Sequence, residues 1–550
     1  MTMKKVMALL LTATMLTGML TGCGDKASES AADGKNQESA SSASQGSDSA
    51  APTSYDGEQV AYISCGDGDP GTLDPLAAMS SSRHVCIMEV CERLFGYTED
   101  GDLYGVLAKD YERDGLTYTV NLYDYITDSA GNQMTASDIV FCLDKMVEKG
   151  NTSALNFEKY EATGDYTVEI TVNNNNVATF ENSIAGLYFV TQAAYEASSD
   201  DMSVDPVGTG PYKVDAYETG STLTLVKNEN YWQKPELCKA LEQQANTEKI
   251  VYSMITEAAQ IVVGLETGAL DFAFVDFSAA ERFGEGGEAA NHFCAEAIKT
   301  WGGNALFFNM SDKSVFKDNI ALRKAVLYGI DRQAIIDGVF EGHAINPKTY
   351  GQTRYPDADP NWDNEDYFEY DPDYAKECLK EAGYAPGELS LKLMFPTSSY
   401  CNSMAEIIQA YLDMIGIKVE VLSYENALYN SYKTDPTQYD MMFNGSGGPG
   451  TITRIWNNQL NKNIYTSDGA YCAGFLNDPH LQELVETASN VDTNSVETTS
   501  AVHDYLIDQA YLMQLYVEEK CVVYNTDKIV KMCTNIDARQ VPGASIYVWN

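Results

Sequence analysis

The chain has 550 residues, more than a single hydrophobic core organises, and this length predicts two or three packed lobes. Its 80 acidic residues against 36 basic ones give a formal charge of −44, a field that repels nucleic acids and anionic lipid head groups. With 44% hydrophobic residues the composition still allows a globular body, so a nucleic-acid partner is disfavoured but a packed fold is not.

The first 22 residues have the features of an export signal. Lys4 and Lys5 supply a positive start, and residues 6–19 form an apolar run that is too short to span a bilayer comfortably. The run ends in Leu-Thr-Gly followed by Cys23, which resembles the lipobox of bacterial lipoproteins. This resemblance implies a signal peptide over residues 1–22 and a lipid such as palmitate on Cys23. An ordinary cleaved signal with a chance cysteine is the alternative.

Residues 24–54 are rich in Ser, Ala, Gly, Asp and Gln and almost free of large apolar groups. Such a composition cannot bury enough surface to fold, so residues 23–56 are predicted to be the lipidated cysteine and a disordered tether. The chain has 12 cysteines, so 11 remain beside Cys23, and none of them lies in a C-x-x-C pair. They are interpreted mainly as small apolar fillers of the core.

From residue 57 onward, strand and helix patterns alternate. Strands are predicted over residues 116–123, 165–172, 221–228 and 417–424. Residues 135–150 combine a capping residue, Thr135 or Ser137, with apolar residues at helical spacing, and residues 371–384 repeat this pattern up to a closing glycine. The alternation favours α/β lobes over an all-helical or all-β body.

Several segments of this region occur in a fixed order along the chain. They are GTLDPLAA (71–78), MTASDIVF (134–141), GTGPY (208–212), NENYW (228–232), ALRKAVLYGIDRQAII (321–336), YDPDYAKECLKEAGY (370–384) and IGIKVEVLSY (415–424). Each segment alone is a weak signal. In this order they resemble the peptide/nickel-type extracytoplasmic solute-binding proteins of ABC transporters, family 5, and the match is collinear over nearly everything after the tether.

The resemblance implies an α/β, two-lobed periplasmic-binding-protein-like fold of type II (cluster C), with a hinge of two crossover strands. Lobe I is expected over residues 57–302, with a sub-lobe near 85–205, and lobe II over residues 303–517. Residues 518–550 are then a C-terminal return to lobe I. The glycines of GTGPY are interpreted as a rigid turn before a strand, and therefore as architecture rather than ligand contacts.

The same resemblance implies an extracytoplasmic lipoprotein, held at the cell membrane by its lipid, that captures a small solute and delivers it to an ABC permease and ATPase. An oligopeptide or peptide-like molecule is the favoured cargo, and a glycan, another polar organic solute or a metal chelate is the alternative within the same fold. A cell-surface hydrolase and a sensor lipoprotein without a transport partner are alternatives from other classes. We expect a monomer with no cofactor.

The sequence contains no clear pattern for catalysis or a resident metal. The 5 histidines show no H-x-x-x-H spacing and no neighbouring cysteine pair, which argues against a zinc site. The stretch NGSGG (444–448) is not a G-x-S-x-G elbow, because its first position is Asn444. The chain is therefore predicted not to be an enzyme.

Residues 441–458, MMFNGSGGPGTITRIWNN, are the most informative stretch for ligand binding. In peptide-binding relatives, this strand-to-loop turn carries an aromatic residue and then an aspartate that pairs with the free N-terminus of a peptide. Here Ser446 takes the aromatic place, the acidic place falls near Pro449, and no acid occurs between Asp440 and Asp468. The ammonium clamp is therefore predicted to be absent, which argues against ordinary free peptides as cargo.

The glycines of this stretch let backbone amides approach a ligand, and a helix starting near Thr451 is expected to point N–H groups at it. Such a wall suits polar, neutral or anionic groups better than an ammonium. The predicted contacts here are Asn444, Ser446, Gly447 and Gly448, with a flexible loop that makes no ligand contact as the alternative. The same glycines form a G-x-G-x-x-G pattern, but no βαβ unit with a following acid supports a dinucleotide site.

Two further parts of the chain are predicted to line the ligand site. The segment after the first strand contributes Met79, Ser80 and Ser81, where relatives use backbone and small side chains. The two crossovers contribute Trp301, Gly303, Asn304 and Tyr516. Both aromatic rings are expected to stack on a ring or sugar face, worth about 1 kcal/mol beyond their burial, with a purely structural role as the alternative.

Overall fold

The computed structural model describes residues 57–65, 68–97, 103–151, 153–239, 243–448, 450–462, 472–531, 543 and 546–548. Residues Pro52–Asn550 form one compact unit. The predicted signal peptide, Cys23 and the tether lie outside the described residues, as do Pro449 and Asp468. Among the helices of the described residues, none has the length and apolar character needed to cross a membrane.

The strands are β1 (Val60–Ser64), β2 (Glu92–Arg93), β3 (Phe95–Tyr97), β4 (Leu103–Gly105), β5 (Ala108–Asp114), β6 (Thr117–Leu122), β7 (Phe157–Gly164), β8 (Thr167–Val172), β9 (Tyr188–Phe189), β10 (Tyr212–Glu218), β11 (Thr222–Lys227), β12 (Lys249–Ser253), β13 (Phe272–Val275), β14 (Phe293–Phe308), β15 (Ala344–Ile345), β16 (Leu389–Pro396), β17 (Ile417–Tyr424), β18 (Met441–Ser446), β19 (Leu512–Asn525), β20 (Ile529–Lys531) and β21 (Tyr547–Val548). The α-helices are α1 (Ser81–Ile87), α2 (Ala136–Glu148), α3 (Val177–Gly186), α4 (Gln192–Ala197), α5 (Ala258–Glu266), α6 (Phe277–Ala280), α7 (Ile320–Tyr328), α8 (Arg332–Phe340), α9 (Pro372–Glu381), α10 (Ser399–Met414), α11 (Asn426–Tyr432), α12 (Ile452–Leu460), α13 (Pro479–Ser489) and α14 (Val496–Asp508).

One 11-stranded sheet runs through most of the described chain. Its strand order is β10-β11-β12-β1-β13-β19-β14-β18-β16-β17, with β15 paired to β19. Towards one end β1 pairs in parallel with β12 and β13, and towards the other β16 pairs in parallel with β17 and β18. The antiparallel strands β14 and β19 lie between these two groups. A continuous sheet therefore joins two α/β regions.

β14 and β19, with 16 and 14 residues, are long enough to belong to both regions. They pair antiparallel from Phe293 opposite Asn525 to Lys299 opposite Glu519, and the pairing resumes at Gly303 after a register shift. These two strands are the crossover pair that the sequence predicted as a hinge, and the two-lobed α/β fold is confirmed.

Two large hydrophobic cores divide the chain at this crossing. One contains residues between Trp301 and Tyr516, and the other contains residues from Ala61 to Ile298 together with a C-terminal group that begins at Val522. We call the parts built around the Ala61–Ile298 core and the Trp301–Tyr516 core the first and second lobe. This change of core supports the boundaries placed at 302/303 and 517/518, which remain predictions.

Helix α2 shows how local sequence produces the predicted elements. Thr135 and Asp138 form a capping box at its start, and its buried face packs against β7 and β8. Its buried apolar residues include Ile139, Cys142, Leu143 and Met146. Their spacing places them on one side of the helix, so the helix predicted over residues 135–150 is confirmed.

The other predicted elements follow the same pattern. Asp371 caps α9 by accepting hydrogen bonds from the N–H groups of Asp373 and Tyr374, which confirms the helix predicted over residues 371–384. The four predicted strands are present as β6, β8, β11 and β17. The ten described cysteines are free and eight of them are buried, as expected of apolar fillers.

The GTGPY glycines are required by a close approach of two backbone segments. A Cβ atom on Gly208 would lie 1.9 Å from the carbonyl oxygen of Val90, and one on Gly210 would lie 2.2 Å from that of Glu89. The segment leads directly into β10 at Tyr212. These contacts support the architectural role predicted for this motif.

We expect Gly303→Ala to destabilise the protein by about 2 kcal/mol or more, because overpacking a close backbone contact forces the neighbours to move. A Cβ at Gly303 would lie 2.1 Å from the carbonyl oxygen of Tyr516 on β19. The measurement is the free energy of unfolding by urea. The matched control is Gly186→Ala at the end of α3, where a Cβ meets no atom within 4 Å. Equal stability of the two variants would contradict the prediction.

Candidate functional site

The crossing of β14 and β19 contains a stretch without regular ladder pairing, between Lys299 and Gly303. Thr300 lies in it, and its hydroxyl donates to the carbonyl oxygen of Glu518 at 2.8 Å. The carbonyl oxygen of Thr300 accepts from Gln352 Nε2 at 3.0 Å and from Arg354 Nη2 at 2.8 Å. Side chains of the second lobe therefore supply hydrogen bonds at this point of the hinge.

Three of the predicted contact residues meet at the same crossing. Gly303 lies against the backbone of Tyr516, and Asn304 Nδ2 donates to the Tyr516 hydroxyl at 3.0 Å. The Tyr516 ring is only 3% exposed and packs 4.3 Å from the ring of Phe340, measured between centroids. Burial raises the pKa of Tyr516 well above its ordinary value. In this structure Tyr516 is a core residue, and its predicted contact with cargo remains a prediction.

Trp301 is also largely enclosed by the protein, with 7% of its surface exposed. Its ring lies 4.6 Å from that of Tyr355, and the guanidinium carbon of Arg354 lies 3.5 Å from the indole centroid. The aromatic surface predicted to stack on cargo is thus in contact with a tyrosine and an arginine. No local sequence pattern indicates this contact, because Trp301 lies more than 50 positions before the adjacent Arg354 and Tyr355.

The glycine loop after β18 is shaped by close contacts with its neighbours. A Cβ on Gly447 would lie 2.1 Å from the carbonyl oxygen of Trp301, and one on Gly448 would lie 2.1 Å from Arg454 Nη2. Both glycines have a positive φ, +126° and +128°, which disfavours other residues. The carbonyl oxygen of Gly448 accepts from the Tyr355 hydroxyl at 2.8 Å. These glycines are therefore needed to fit the loop against the second lobe.

The two polar residues predicted in the same stretch are bonded to side chains. Asn444 donates to the amide oxygen of Gln459 on α12, and the Ser446 hydroxyl donates to Gln514 Oε1 at 2.7 Å. Gly303 pairs with Ser446 across β14 and β18, so this group adjoins the hinge. The structure brings the predicted residues of the glycine loop together with those of the first crossover.

The start of α12 is occupied by a carboxylate of the protein. Asp357 accepts hydrogen bonds from the N–H groups of Ile452 at 2.7 Å and Thr453 at 3.0 Å, and the Thr451 hydroxyl accepts from the N–H of Arg454 at 3.3 Å. The expectation that this helix offers these N–H groups to a ligand is therefore wrong, because a buried aspartate already satisfies them. The cationic groups of Arg354 and Arg454 nevertheless leave this wall suited to neutral or anionic chemistry.

The segment after β1 is held in place by an arginine. Arg83 is buried, and its guanidinium donates to the carbonyl oxygens of Thr72 and Ala78 at 2.9 and 2.6 Å. Ser80 is exposed and caps α1 by accepting from the N–H of Arg83, and Met79 packs partly buried on the first core. Ser81 is the first residue of α1. The predicted contact residues of this segment therefore belong to the first lobe.

A pocket of about 570 Å³ lies where the two lobes meet beside β19. The first lobe contributes the residues after β12 and β13, among them Thr256 and Phe277. The second lobe contributes the end of α8 and the start of α10, including Phe340 and Tyr400. The carboxyl ends of parallel strands are the usual ligand-binding edge of α/β sheets, and β12, β13 and β16 end here. We call this cavity the interlobe pocket.

The sequence analysis missed the interlobe pocket. None of the predicted contact residues is among the described residues that line it, although Tyr516 adjoins it through Phe340. The signal that could have found it is topological: the loops after β12 and β13 become candidates once β1 is known to pair with both strands. The sequence pattern of a single strand does not show which strands lie next to it in the sheet.

A second contact between the lobes lies away from the hinge. Arg113 on β5 forms an ion pair with Asp492, with 2.8 Å between Nη1 and Oδ1, and Asn175 Nδ2 donates to Asp492 Oδ2 at 2.8 Å. Arg113 is the first cause that lowers the pKa of Asp492 below its ordinary value. Asp492 belongs to the loop between α13 and α14, so these bonds join the first lobe to the second.

Two more hydrogen bonds strengthen this contact. Asn176 Nδ2 donates to Asn457 Oδ1 on α12 at 2.6 Å, in a buried position. The N–H of Val491 donates to the carbonyl oxygen of Asn175 at 3.2 Å. We call this set of contacts the interlobe bridge. It joins β5 and the loop after β8 in the first lobe to α12 and the loop after α13 in the second lobe.

Within the described residues, Glu365, His503 and Asp504 form a group whose ligand atoms lie within 4.8 Å of one another, close enough for a metal ion. The two carboxylates are exposed, and such groups are common without an ion, so no metal is assigned here. His503 is 1% exposed; its Nδ1 lies 2.8 Å from the Thr349 hydroxyl and its ring stacks 4.1 Å from that of Trp362. Burial lowers the pKa of His503 to about 4, so the imidazole is neutral at pH 7.

The profile of one protein family matches the chain, described as "Bacterial extracellular solute-binding proteins, family 5 Middle". The match covers residues 102–458, which is more than half of the chain. It includes the four-stranded sheet β5-β6-β8-β7, the hinge strand β14 and the glycine loop.

Individual solute-binding proteins are also similar to this chain, in sequence or in structure. The glutathione-binding protein GsiB of Pectobacterium atrosepticum is 27% identical over 372 residues, 64% of this chain and 67% of the relative. Among solved structures, NikA from Brucella suis in complex with Fe(III)-EDTA has a TM-score of 0.74 at 21% identity, covering 89% of this chain and 99% of NikA. DppA from Helicobacter pylori in complex with the peptide STSA has a TM-score of 0.68 at 19% identity, covering 90% and 98%. At these identities the structural likeness establishes the fold alone.

The free energy of unfolding is expected to fall as the pH is lowered from about 6.5 to 4, because the unfolded chain protonates the His503 imidazole in this range and the folded chain does not. The folded pKa of about 4 against the ordinary 6.5 corresponds to roughly 3 kcal/mol lost by pH 4. His503→Gln should flatten this part of the profile, measured by urea denaturation between pH 4 and 7. His480→Gln, at an exposed histidine, is the control. Parallel profiles for His503→Gln and the unmodified protein would refute the assignment.

Proposed function

The chain belongs to the bacterial extracellular solute-binding proteins of family 5, and from this premise we propose that it captures a peptide-like solute outside the cytoplasm for an ABC permease. Proteins of this family bind a small ligand or peptide, work with ABC transporter components and are not enzymes. The predictions of the family and of a non-enzymatic role are therefore confirmed.

The observation that carries the proposal is the arrangement of two lobes around a pocket. β14 and β19 connect the lobes at one place, the interlobe bridge connects them at another, and the interlobe pocket lies beside β19. A ligand that contacts both lobes stabilises the closed form over an open one by its differential contacts. Closure is then the signal that a permease can read.

A peptide-like cargo is supported by a relative that is similar in sequence and by one that is similar in structure. GsiB is named for glutathione, which is itself a modified tripeptide, and DppA was crystallised with a peptide. NikA holds a metal chelate, so a chelate remains the second candidate within the same fold. The absence of an acid between Asp440 and Asp468 supports a cargo that does not place a free ammonium at the glycine loop.

We further propose that the protein acts outside the cytoplasm while anchored by a lipid on Cys23, with residues 24–56 as the tether. The support is the sequence of the N-terminal segment, and this segment lies outside the described residues. A monomer suffices for this mechanism, because both walls of the pocket come from the same chain.

Native mass spectrometry of protein purified from its own cells tests the proposed cargo. We expect a bound species whose fragments contain amino acids, because receptors of this type retain ligand through purification. The ligand-free protein should then rebind that species without altering its mass. Recovery of a sugar or a chelate would show that the cargo belongs to that class and is not peptide-like. Conversion of the added species to products would favour the hydrolase alternative over the binding function.

Arg113→Ala is expected to weaken cargo binding by about two- to fivefold. Its ion pair with Asp492 joins the two lobes, and we expect opening of the lobes to break it; exposed pairs of this kind contribute little each. Isothermal titration with the recovered cargo measures the loss. Arg282→Ala is the matched control, since Arg282 forms an ion pair with Glu266 inside the first lobe. Equal loss in both variants would show that the interlobe bridge has no part in closure.

A further inference from the structure

The interlobe pocket has a strongly acidic lining. Asp276, Glu341, Glu518 and Glu519 line it, against one basic residue, Lys520. In the part of the chain that the structure describes, none of the four carboxylates takes part in a hydrogen bond or an ion pair. Asp276 precedes α6 without a side-chain capping bond.

The nearby lysines are placed so that they do not neutralise these acids. Lys520 Nζ lies 5.5 Å from the ring centroid of Phe274, another residue of the pocket wall. Lys299 is opposite Glu519 in the β14–β19 register, and no ion pair forms between the two among the described residues. The pocket therefore keeps an excess of negative charge, which a cleft between two lobes concentrates.

Aromatic rings complete the wall of the pocket. Phe274, Phe277, Phe340 and Tyr400 all line it, and Tyr400 is 42% exposed although it belongs to the start of α10. Tyr400 and Glu518 both belong to the wall of this pocket, so a ring and a carboxylate face the same cavity. Aromatic faces next to carboxylates form the chemistry that attracts organic cations.

We propose that the interlobe pocket binds a cationic group of the cargo, an ammonium or a guanidinium, between the carboxylates of β19 and the aromatic rings of both lobes. The inference rests on the proposed solute-binding function and names the part of the cargo that this pocket selects. A volume of about 570 Å³ is sufficient for a basic side chain or for a small amine-bearing molecule.

The surface at the glycine loop, which also lies near the hinge, has the opposite charge to the interlobe pocket. Arg454 lies against the glycine loop and Arg354 lies on the neighbouring Trp301 ring. No acid occurs between Asp440 and Asp468, so this surface is a poor place for an ammonium. The interlobe pocket has the carboxylates for an ammonium that the glycine loop lacks. A peptide-like cargo would then be held by its cationic part at a place different from the one predicted from the sequence.

The test uses the full mature chain, freed of ligand by dialysis, and two probes. A tripeptide library is added and the bound fraction is analysed by mass spectrometry; spermidine is titrated separately by calorimetry. Peptides containing Lys or Arg should be enriched in the bound fraction, and their affinity should fall as salt is raised. Competition of spermidine with them would show that the cation alone provides part of the binding.

Two double variants and one control make the result specific. Glu518→Gln with Glu519→Gln, and separately Asp276→Asn with Glu341→Gln, should each weaken the binding of cationic tripeptides by about tenfold, since charge-assisted contacts are lost. Glu377→Gln with Glu381→Gln on α9 removes the same charge from an exposed helix face and should leave the affinity unchanged. Because the two test variants alter different walls, misfolding of one does not remove the test.

The outcomes separate this inference from the proposed function. Bound peptides without enrichment in Lys or Arg would leave the proposed function standing and overturn the inference. Binding of spermidine that depends on Glu518 and Glu519, with no library peptide bound, would support the inference and overturn the peptide cargo. Failure of both cationic peptides and spermidine to bind, or equal effects in the α9 control, would overturn the inference.

Discussion

The antiparallel pairing of β14 with β19 is the contact on which the rest of the structure depends. Each strand begins in one hydrophobic core and ends in the other, so the two cores share their central strands. Gly303 permits the strands to approach at the crossing, since any larger residue would meet the backbone of Tyr516. The two lobes, the glycine loop and the interlobe pocket all take their positions from this pair.

Two surfaces of different charge lie near that crossing. Beside the glycine loop, Arg354 lies on Trp301 and Arg454 lies against Gly448, whereas the interlobe pocket presents four carboxylates and one lysine. In a chain with a formal charge of −44, a cationic wall is the less expected of the two. A peptide carries positive and negative groups, and each of the two surfaces is complementary in charge to one of them.

Much of the architecture could be predicted from the sequence because its signals are local. The capping residues Thr135 and Asp371 and the alternation of strands are read within ten or fifteen positions, and the structure contains those elements. The collinear family segments supplied the two-lobed fold. The candidate site was harder to predict, because its contacts join residues that are distant in the sequence. Asp357 accepts hydrogen bonds at the start of α12 from almost 100 positions away, and Arg354 lies over the Trp301 ring. The interlobe pocket depends on strand order, which no local pattern records.

The irregular stretch around Thr300 has a mechanical consequence. Between Lys299 and Gly303 the two strands have no ladder pairs, and the Thr300 carbonyl is bonded instead to the side chains of Gln352 and Arg354. Bending β14 against β19 at this point disrupts none of the ladder pairs between these two strands, whereas bending them along the paired segments would. The two strands therefore resist bending least at the level of Thr300, where the two hydrophobic cores meet.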